Sequence, residues 1–201
     1  DKIPMHVYHQ GSMAKRRPLT QVMAQRGCVG QCTFCCQPTF WGKLRRRSVP
    51  HVIQELKWIQ RLGYREISWN DTRLTSDPKW ANLLLDQMIE NKIDLTWSCD
   101  DHATSGIAQD PELLKKMKRA GCHQIRLGLE SANLEILKNI RKGVTPDQVI
   151  RTCAMIKKEG MKIVLFLLLG LPGETKETMQ ETIEFAKSID VDYITLGIAQ
   201  P

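Results

Sequence analysis

From residue 19 onward the chain alternates short apolar, β-prone runs with stretches whose apolar residues recur every three or four positions. "LTQVMAQ" (19–25) predicts the first strand. Ser48 can then cap, and Pro50 open, a helix whose apolar face is Val52, Leu56, Ile59 and Leu62, and Gly63 closes it. The same grammar repeats. "REISWND", "LTWSCDD", "QIRLGLES", "KIVLFLLLG" and "DYITLGIA" predict strands, and between them "DPKWANLLLDQMIENK", "DPELLKKMKRAG", "TPDQVIRTCAMIKKEG" and "TKETMQETIEFAKS" predict helices. Thr145 and Gln148 have the spacing of a reciprocal capping box.

Strict alternation of strand and helix predicts a parallel sheet with right-handed crossovers. A closed eight-unit barrel takes about 250 residues, about 31 per unit, whereas this chain offers six units in roughly 180. The expected fold is therefore α/β, a partial (β/α)6 open TIM-type barrel over residues 21–201. A doubly wound sheet is the rival, because alternation alone does not separate the two. Residues 1–20 are expected to be a lead-in from an upstream domain, and a C-terminal extension is expected beyond residue 201, since the chain starts at Asp1 and ends on a strand-like run.

In either parallel fold chemistry gathers at the carboxyl ends of the strands. The cysteines follow strand one, Asn70 and Asp71 end strand two, and Asp100, Asp101 and His102 end strand three. Glu130 and Ser131 end strand four, Gly170 to Glu174 follow strand five, and Gln200 ends strand six. A single acid there is commonly a helix cap; a ring of polar groups around a cysteine loop is expected to be a site.

Composition adds limits. The longest apolar run, Ile163 to Leu171, is about half of the roughly 18 residues a membrane span needs, so no span is expected and the chain reads as cytoplasmic. Seven cysteines, an odd number, argue for ligation or a reducing compartment rather than a disulfide framework. The formal charge of +7 is concentrated in "AKRR" (14–17) and "KLRRR" (43–47), the second directly after the cysteines. Such a loop is either simply solvated or the docking face for an acidic partner.

"RGCVGQCTFCC" (26–36) holds four of the seven cysteines. Cys28, Cys32 and Cys35 can wrap one face of an iron-sulfur cluster, with Gly27 and Gly30 permitting the tight path. Three thiolates bind three irons of a four-iron cluster and leave the fourth open. Cys36 is not expected to ligate, because its neighbour Cys35 already points inward. Zinc is the rival metal, but its structural sites usually need a second ligand pair at a distance. Cys99, Cys122 and Cys153 read as small buried hydrophobes.

"CVGQCTFC" resembles the Cys-x3-Cys-x2-Cys motif of the radical S-adenosylmethionine (SAM) enzymes, including the aromatic before the third cysteine. "GLESAN" and "LLGLPGET" resemble that superfamily's cofactor-binding segments, and the resemblance covers almost the whole chain. It implies a 4Fe-4S cluster on Cys28, Cys32 and Cys35 whose open iron chelates SAM. Phe34 would lie near the adenine, Glu130 and Ser131 would meet the methionine or ribose part, and Leu168 and Gly170 would line the adenine. Arg151 would pair with the carboxylate. Two segments depart from the pattern. The Gly-Gly-Glu after strand two reads "WNDTRLT", which gives the amino-group contact to Asn70 or Asp71, and Glu174 is shifted to the next helix's N-terminus.

The run "CTFCCQPTFWGKLRRRSVPHVIQEL" is most similar to the cobalamin-binding branch, which contains methyltransferases and anaerobic porphyrin-ring cyclases. This implies SAM cleavage to a 5′-deoxyadenosyl radical, cobalamin held mainly outside this chain, and an acidic electron donor such as a flavodoxin or ferredoxin. A methylthiotransferase or other RNA-modifying member is the second reading. Apart from Phe40 and Trp41 the basic loops lack the stacking aromatics that a nucleic acid would use. A non-enzymatic iron-sulfur or zinc scaffold or sensor is the third, and the polar rim argues against it.

Overall fold

The computed structural model describes residues 13–199; Gln200 and residues 1–12 of the expected lead-in lie outside them. In chain order the strands are β1 (Leu19–Val22), β2 (Gln25–Arg26), β3 (Arg45–Arg46), β4 (Glu66–Trp69), β5 (Thr96–Asp101), β6 (Cys122–Glu130), β7 (Lys162–Leu169) and β8 (Tyr193–Ile198). The helices are α1 (Gln37–Trp41), α2 (Val49–Arg61), α3 (Pro78–Glu90), α4 (Gly106–Gln109), α5 (Pro111–Arg119), α6 (Leu134–Asn139), α7 (Pro146–Lys158) and α8 (Lys176–Ser188).

Six strands form one sheet in the order β1-β4-β5-β6-β7-β8, every neighbouring pair parallel. A doubly wound sheet would reverse its strand order at a switch point. This order never reverses, and β8 does not pair with β1, so the sheet curls one way and stays open. The partial barrel is the observed fold, with helices packed on its outer face.

Strand alternation explains the two faces. Ile67, Trp69, Trp97, Cys99, Ile125, Leu127, Ile163 and Leu165 have no exposed surface. They pack in one core with Leu56 of α2, Leu84 of α3, Met117 of α5 and Ile156 of α7. Each side chain of this size buried there contributes about 1.5–3 kcal/mol. The intervening residues face the barrel interior, where Arg126 ties three strands together. It bonds Asp100, Ser98 Oγ at 3.2 Å and Ser68 Oγ at 3.2 Å.

Helix starts follow the sequence closely. Asp77 and Asp110 cap α3 and α5, and the Thr145–Gln148 capping box is formed at α7. Ser48 sits at the N-cap of α2 in an extended conformation, but its side chain makes no capping hydrogen bond; the proline in the first turn sets the helix instead. Cys99, Cys122 and Cys153 are buried, as expected.

The first strand is shorter than its apolar pattern predicts. β1 stops at Val22, and Gln25–Arg26 leave the sheet to pair antiparallel with Arg45–Arg46. A buried carboxylate on the next strand's exit causes the departure: Asp71 accepts the backbone N–H groups of both Ala24 and Gln25. Helices α1, α4 and α6 were not marked by the sequence pattern, being four to six residues long and too short to display a period.

Candidate functional site

The cysteine loop leaves β2 and is held at three points. Gly27 adopts φ 90°, and a Cβ there would stand 2.7 Å from the Lys43 carbonyl oxygen and 2.8 Å from that of Gly42. Only glycine permits this approach, which lays the basic ribbon of β2 and β3 directly against the loop. On the other side Thr33 N–H donates to the Ile140 carbonyl at 3.0 Å, just past α6. Within the loop, Cys35 N–H closes a turn on the Cys32 carbonyl at 3.1 Å.

Cys28, Cys32 and Cys35 are half-buried, whereas Cys36 is exposed and forms the N-cap of α1. Gly30 gives its bare face to the thiols. A Cβ there would lie 3.4 Å from Cys28 Sγ, 3.9 Å from Cys32 Sγ and 3.9 Å from Arg73 Nη1. Gly30 N–H also donates to Cys28 Sγ at 3.3 Å. Burial pushes the Cys32 thiol up, the Lys142 ammonium opposes that shift, and the Cys35 and Cys28 thiols add to it. The three thiols thus share one electrostatic environment. Among the described residues no three Cys, His, Asp or Glu side chains are gathered as for a single ion. A cluster brings its own irons and sulfides between the thiolates, and three soft sulfur donors on one loop fit it.

Above the thiols sits an ion pair. Lys142 Nζ donates to Glu130 Oε1 at 2.6 Å, both side chains about nine-tenths buried. A Cβ at Gly128 would stand 2.3 Å from that carboxylate oxygen and 2.8 Å from the ammonium, so the glycine makes room for the pair. The register slips between Gly128 and Glu130, and Glu130 takes φ 77°, a costly conformation for a residue with a Cβ. Lys142 also lies 5.8 Å from the centre of the half-exposed Phe34 ring. Sequence reading missed Lys142, which follows a helix too short to predict.

His102 steadies this corner. Its Nδ1 meets Thr104 Oγ1 at 2.9 Å and its Nε2 meets the Lys142 carbonyl at 3.2 Å. Burial, followed by the Arg73 and Lys142 charges, pushes its pKa down to about 3, so it is neutral near pH 7. A neutral ring at Nε2 donates to that carbonyl and accepts the threonine hydroxyl at Nδ1.

The other predicted residues divide into two groups. Asn70 is exposed at the rim, Leu168 is half-buried on the interior face of β7, and Gly170 is exposed at φ 81° beyond it. Ser131 is fully buried and bonds Thr182 Oγ1 and the Asn133 N–H, a loop-holding role. Asp71 is 1% exposed and committed to Ala24 and Gln25. Arg151 stands exposed on α7, lining a cleft of about 270 Å³ with Thr104, Gln109 and Gln148. Glu174 folds back onto Gly170 N–H at 2.6 Å and Leu171 N–H at 2.9 Å, and Asp101 is buried against Ser105 and Thr75. Half of the polar rim therefore shapes loops. Of its acids, Glu130 pairs with Lys142 and acts on Cys32, and Asp100 is bound to Arg126.

A one-directional parallel half-barrel with a three-thiol loop after its first strand and a buried ion pair after its fourth defines a barrel enzyme built around an iron-sulfur centre. Residues 22–186 match the Radical SAM superfamily, and the chain belongs to it. Membership implies a 4Fe-4S cluster and SAM. The chain is 34% identical to an uncharacterized methyltransferase of Pyrococcus horikoshii, over 100% of this chain and 44% of that protein. It is 31% identical to the cytidylyl-2-hydroxyethylphosphonate methyltransferase of Streptomyces wedmorensis, over 100% and 41% respectively. The chain thus spans less than half the length of these relatives. Its fold matches the radical SAM methyltransferase TsrM of Kitasatospora setae, solved with cobalamin and a 4Fe-4S cluster. The TM-score is 0.81 at 18% identity, covering 90% of this chain and 34% of that one.

Asp71 yields a direct test. Burial raises its pKa to about 7, outweighing the backbone N–H groups that favour the carboxylate. Between its ordinary value of 3.8 and about 7 the folded chain therefore binds more protons than the unfolded one. This residue's contribution to stability is full below the lower value and falls as pH rises through that window. Urea unfolding of Asp71→Asn, which does not titrate, should show a flatter pH dependence there than wild type; identical slopes would refute the assignment. Asp71→Ala, which orphans two buried N–H groups, should cost about 1–3 kcal/mol for each.

Proposed function

We propose that the parent protein is a cobalamin-dependent radical SAM methyltransferase and that Cys28, Cys32 and Cys35 hold its cluster. The observation that carries the reading is the half-buried thiol trio on the carboxyl rim, in a chain whose whole length aligns with two methyltransferases. When bound, the cluster supplies the electron that breaks the SAM sulfur–C5′ bond and releases a 5′-deoxyadenosyl radical, and cobalamin supplies the methyl carrier.

This chain's residues orient the cofactor. Glu130 and Lys142 present opposite charges suited to the amino and carboxylate groups of SAM, and their own pairing keeps both ordered beforehand. Phe34 offers a flat face to the adenine opposite Leu168 and Gly170. Asn70, with its exposed amide, takes the strand-two contact, while Asp71 and Ser131 act by holding loops. Arg151, in the cleft beside Thr104, is assigned to the SAM carboxylate. Cobalamin is bound by parts of the protein outside this chain, residues 1–20 leading in from them, and the chemistry runs in a reducing, cytoplasmic compartment. No helix among the described residues is long and apolar enough to cross a membrane.

Radical SAM enzymes need a reductant, and we place an acidic donor of the flavodoxin or ferredoxin type on the β2–β3 ribbon. A groove of about 610 Å³ there is lined by Arg26, Arg45, Arg46, Arg47 and His51. Arg46 and Arg47 are paired with Asp77 and Glu55, which leaves Arg26 and Arg45 as the steering charges.

Three experiments test these assignments. Anaerobic reconstitution should give about four iron per chain, lost in Cys28→Ala and kept in Cys36→Ala; a requirement for Cys36 in place of Cys35 would overturn the ligand set. With substrate, the full-length protein should form S-adenosylhomocysteine and 5′-deoxyadenosine together and carry SAM's methyl label into product. Deoxyadenosine without methyl transfer would point to a cyclase, and sulfur in the product to a methylthiotransferase. Arg26→Glu with Arg45→Glu should slow reduction by the protein donor about tenfold at low salt and flatten its salt dependence. Reduction by dithionite should not change. Equal protein-donor rates would leave the loop merely solvated.

A further inference from the structure

The loop after β4 carries a second cation that the cofactor reading does not use. Arg73 reaches from that exit to the cysteine loop, where its Nη1 and the Cys28 and Cys32 sulfurs surround the bare face of Gly30. Its Nη2 donates to Thr104 Oγ1 at 3.3 Å, and its Nε is buried without a partner. No carboxylate stands within ion-pairing distance of it among the described residues. Lys142, the other cation at this corner, is already balanced by Glu130. A half-buried guanidinium with an unsatisfied donor is costly without an opposite charge or acceptor beside it, and its Nη1 and the Cys28 and Cys32 sulfurs all lie within 3.9 Å of the place a Gly30 Cβ would occupy.

The hydrogen-bond chain around it fits that need. Thr104 receives Arg73 and meets His102, and His102 reaches the Lys142 backbone carbonyl, so one connected network links the Arg73 side chain to the Lys142 backbone. His102 is neutral between them and adds no third positive charge.

We propose that Arg73 is a positioning residue for the cluster, its guanidinium set beside the Cys28 and Cys32 sulfurs so as to stabilise the reduced state. The inference rests on the cluster assignment above. Reduction adds one electron, taken from an external one-electron reductant, and changes no bond or proton. A fixed cation a few ångströms away favours the more negative state, most strongly where water is partly excluded. Removing the charge should therefore make reduction harder, and a lysine should restore much of the effect without the guanidinium's fork.

The test is a potentiometric titration of the reconstituted full-length protein with titanium(III) citrate, without SAM, followed by electron paramagnetic resonance, after iron has been counted. Arg73→Gln should keep its iron and become about tenfold harder to reduce, a midpoint about 59 mV lower for a one-electron couple. Arg73→Lys should lie between it and wild type. Equal midpoints in all three loaded proteins overturn the inference and leave the cluster assignment standing. So does an unchanged midpoint accompanied by weaker SAM binding, which would give the guanidinium to the cofactor. If Arg73→Gln does not load, Arg73→Lys decides: a loaded cluster with near-wild-type midpoint supports the charge role, and failure to load overturns it. Wild-type protein that takes up no iron overturns the cluster assignment and this inference with it.

Discussion

Because every strand of the main sheet runs parallel to its neighbour and the order never turns back, all six carboxyl ends and the loops that leave them are gathered on one rim. The cysteine loop, the Asp71 exit, His102, Glu130 and Gly170 are far apart in sequence and are neighbours only through this constraint. The helices serve it by covering the outer face. There large apolar residues such as Trp69, Trp97 and Leu56 have almost no exposed surface, while the interior face keeps Ser68, Ser98, Asp100 and Arg126. The barrel can therefore be polar inside without losing its core.

The rim's second organising principle is the cost of charge in a half-dry place. Asp71 accepts two backbone N–H groups and so bends the chain out of β1 toward the cysteines. Glu130 and Lys142 neutralise each other in a space that Gly128 leaves open. His102 stays uncharged between two cations, which lets it hold Thr104 and the Lys142 backbone without adding to their repulsion. Arg73 has no ion-pair partner among the described residues, and its Nη1 lies beside Gly30 with the Cys28 and Cys32 sulfurs. These polar groups shape loops first, and the few that remain free define what a ligand would meet.

The basic ribbon belongs to the same construction. Gly27 brings the Gly42 and Lys43 carbonyls within contact of the loop backbone, so β3 and its arginines are fixed relative to the cysteines rather than hanging from a free loop. The arginines and the cysteine loop are thereby parts of one corner.

The sequence by itself determined the repeating strand and helix order, the helix starts at Asp77, Asp110 and Thr145, the parallel α/β class, and the three-cysteine loop. Each of these follows from local period, capping chemistry or spacing, which a chain carries without knowing its partners. Only the tertiary structure decided which polar residues face the site. Asp71 and Ser131 read as cofactor contacts because they end strands, yet burial turns both toward backbone and loop groups. Arg151 lines a cleft with Thr104, whose hydroxyl also meets Arg73 and His102. Lys142 and Arg73 carried no signal, since one follows a helix of six residues and the other sits in a short loop. Their meaning comes from Glu130, Thr104 and the cysteine sulfurs, partners supplied by strands and loops 12 to 45 residues away. Long-range proximity of that kind is a property of the assembled sheet and is written in no local pattern.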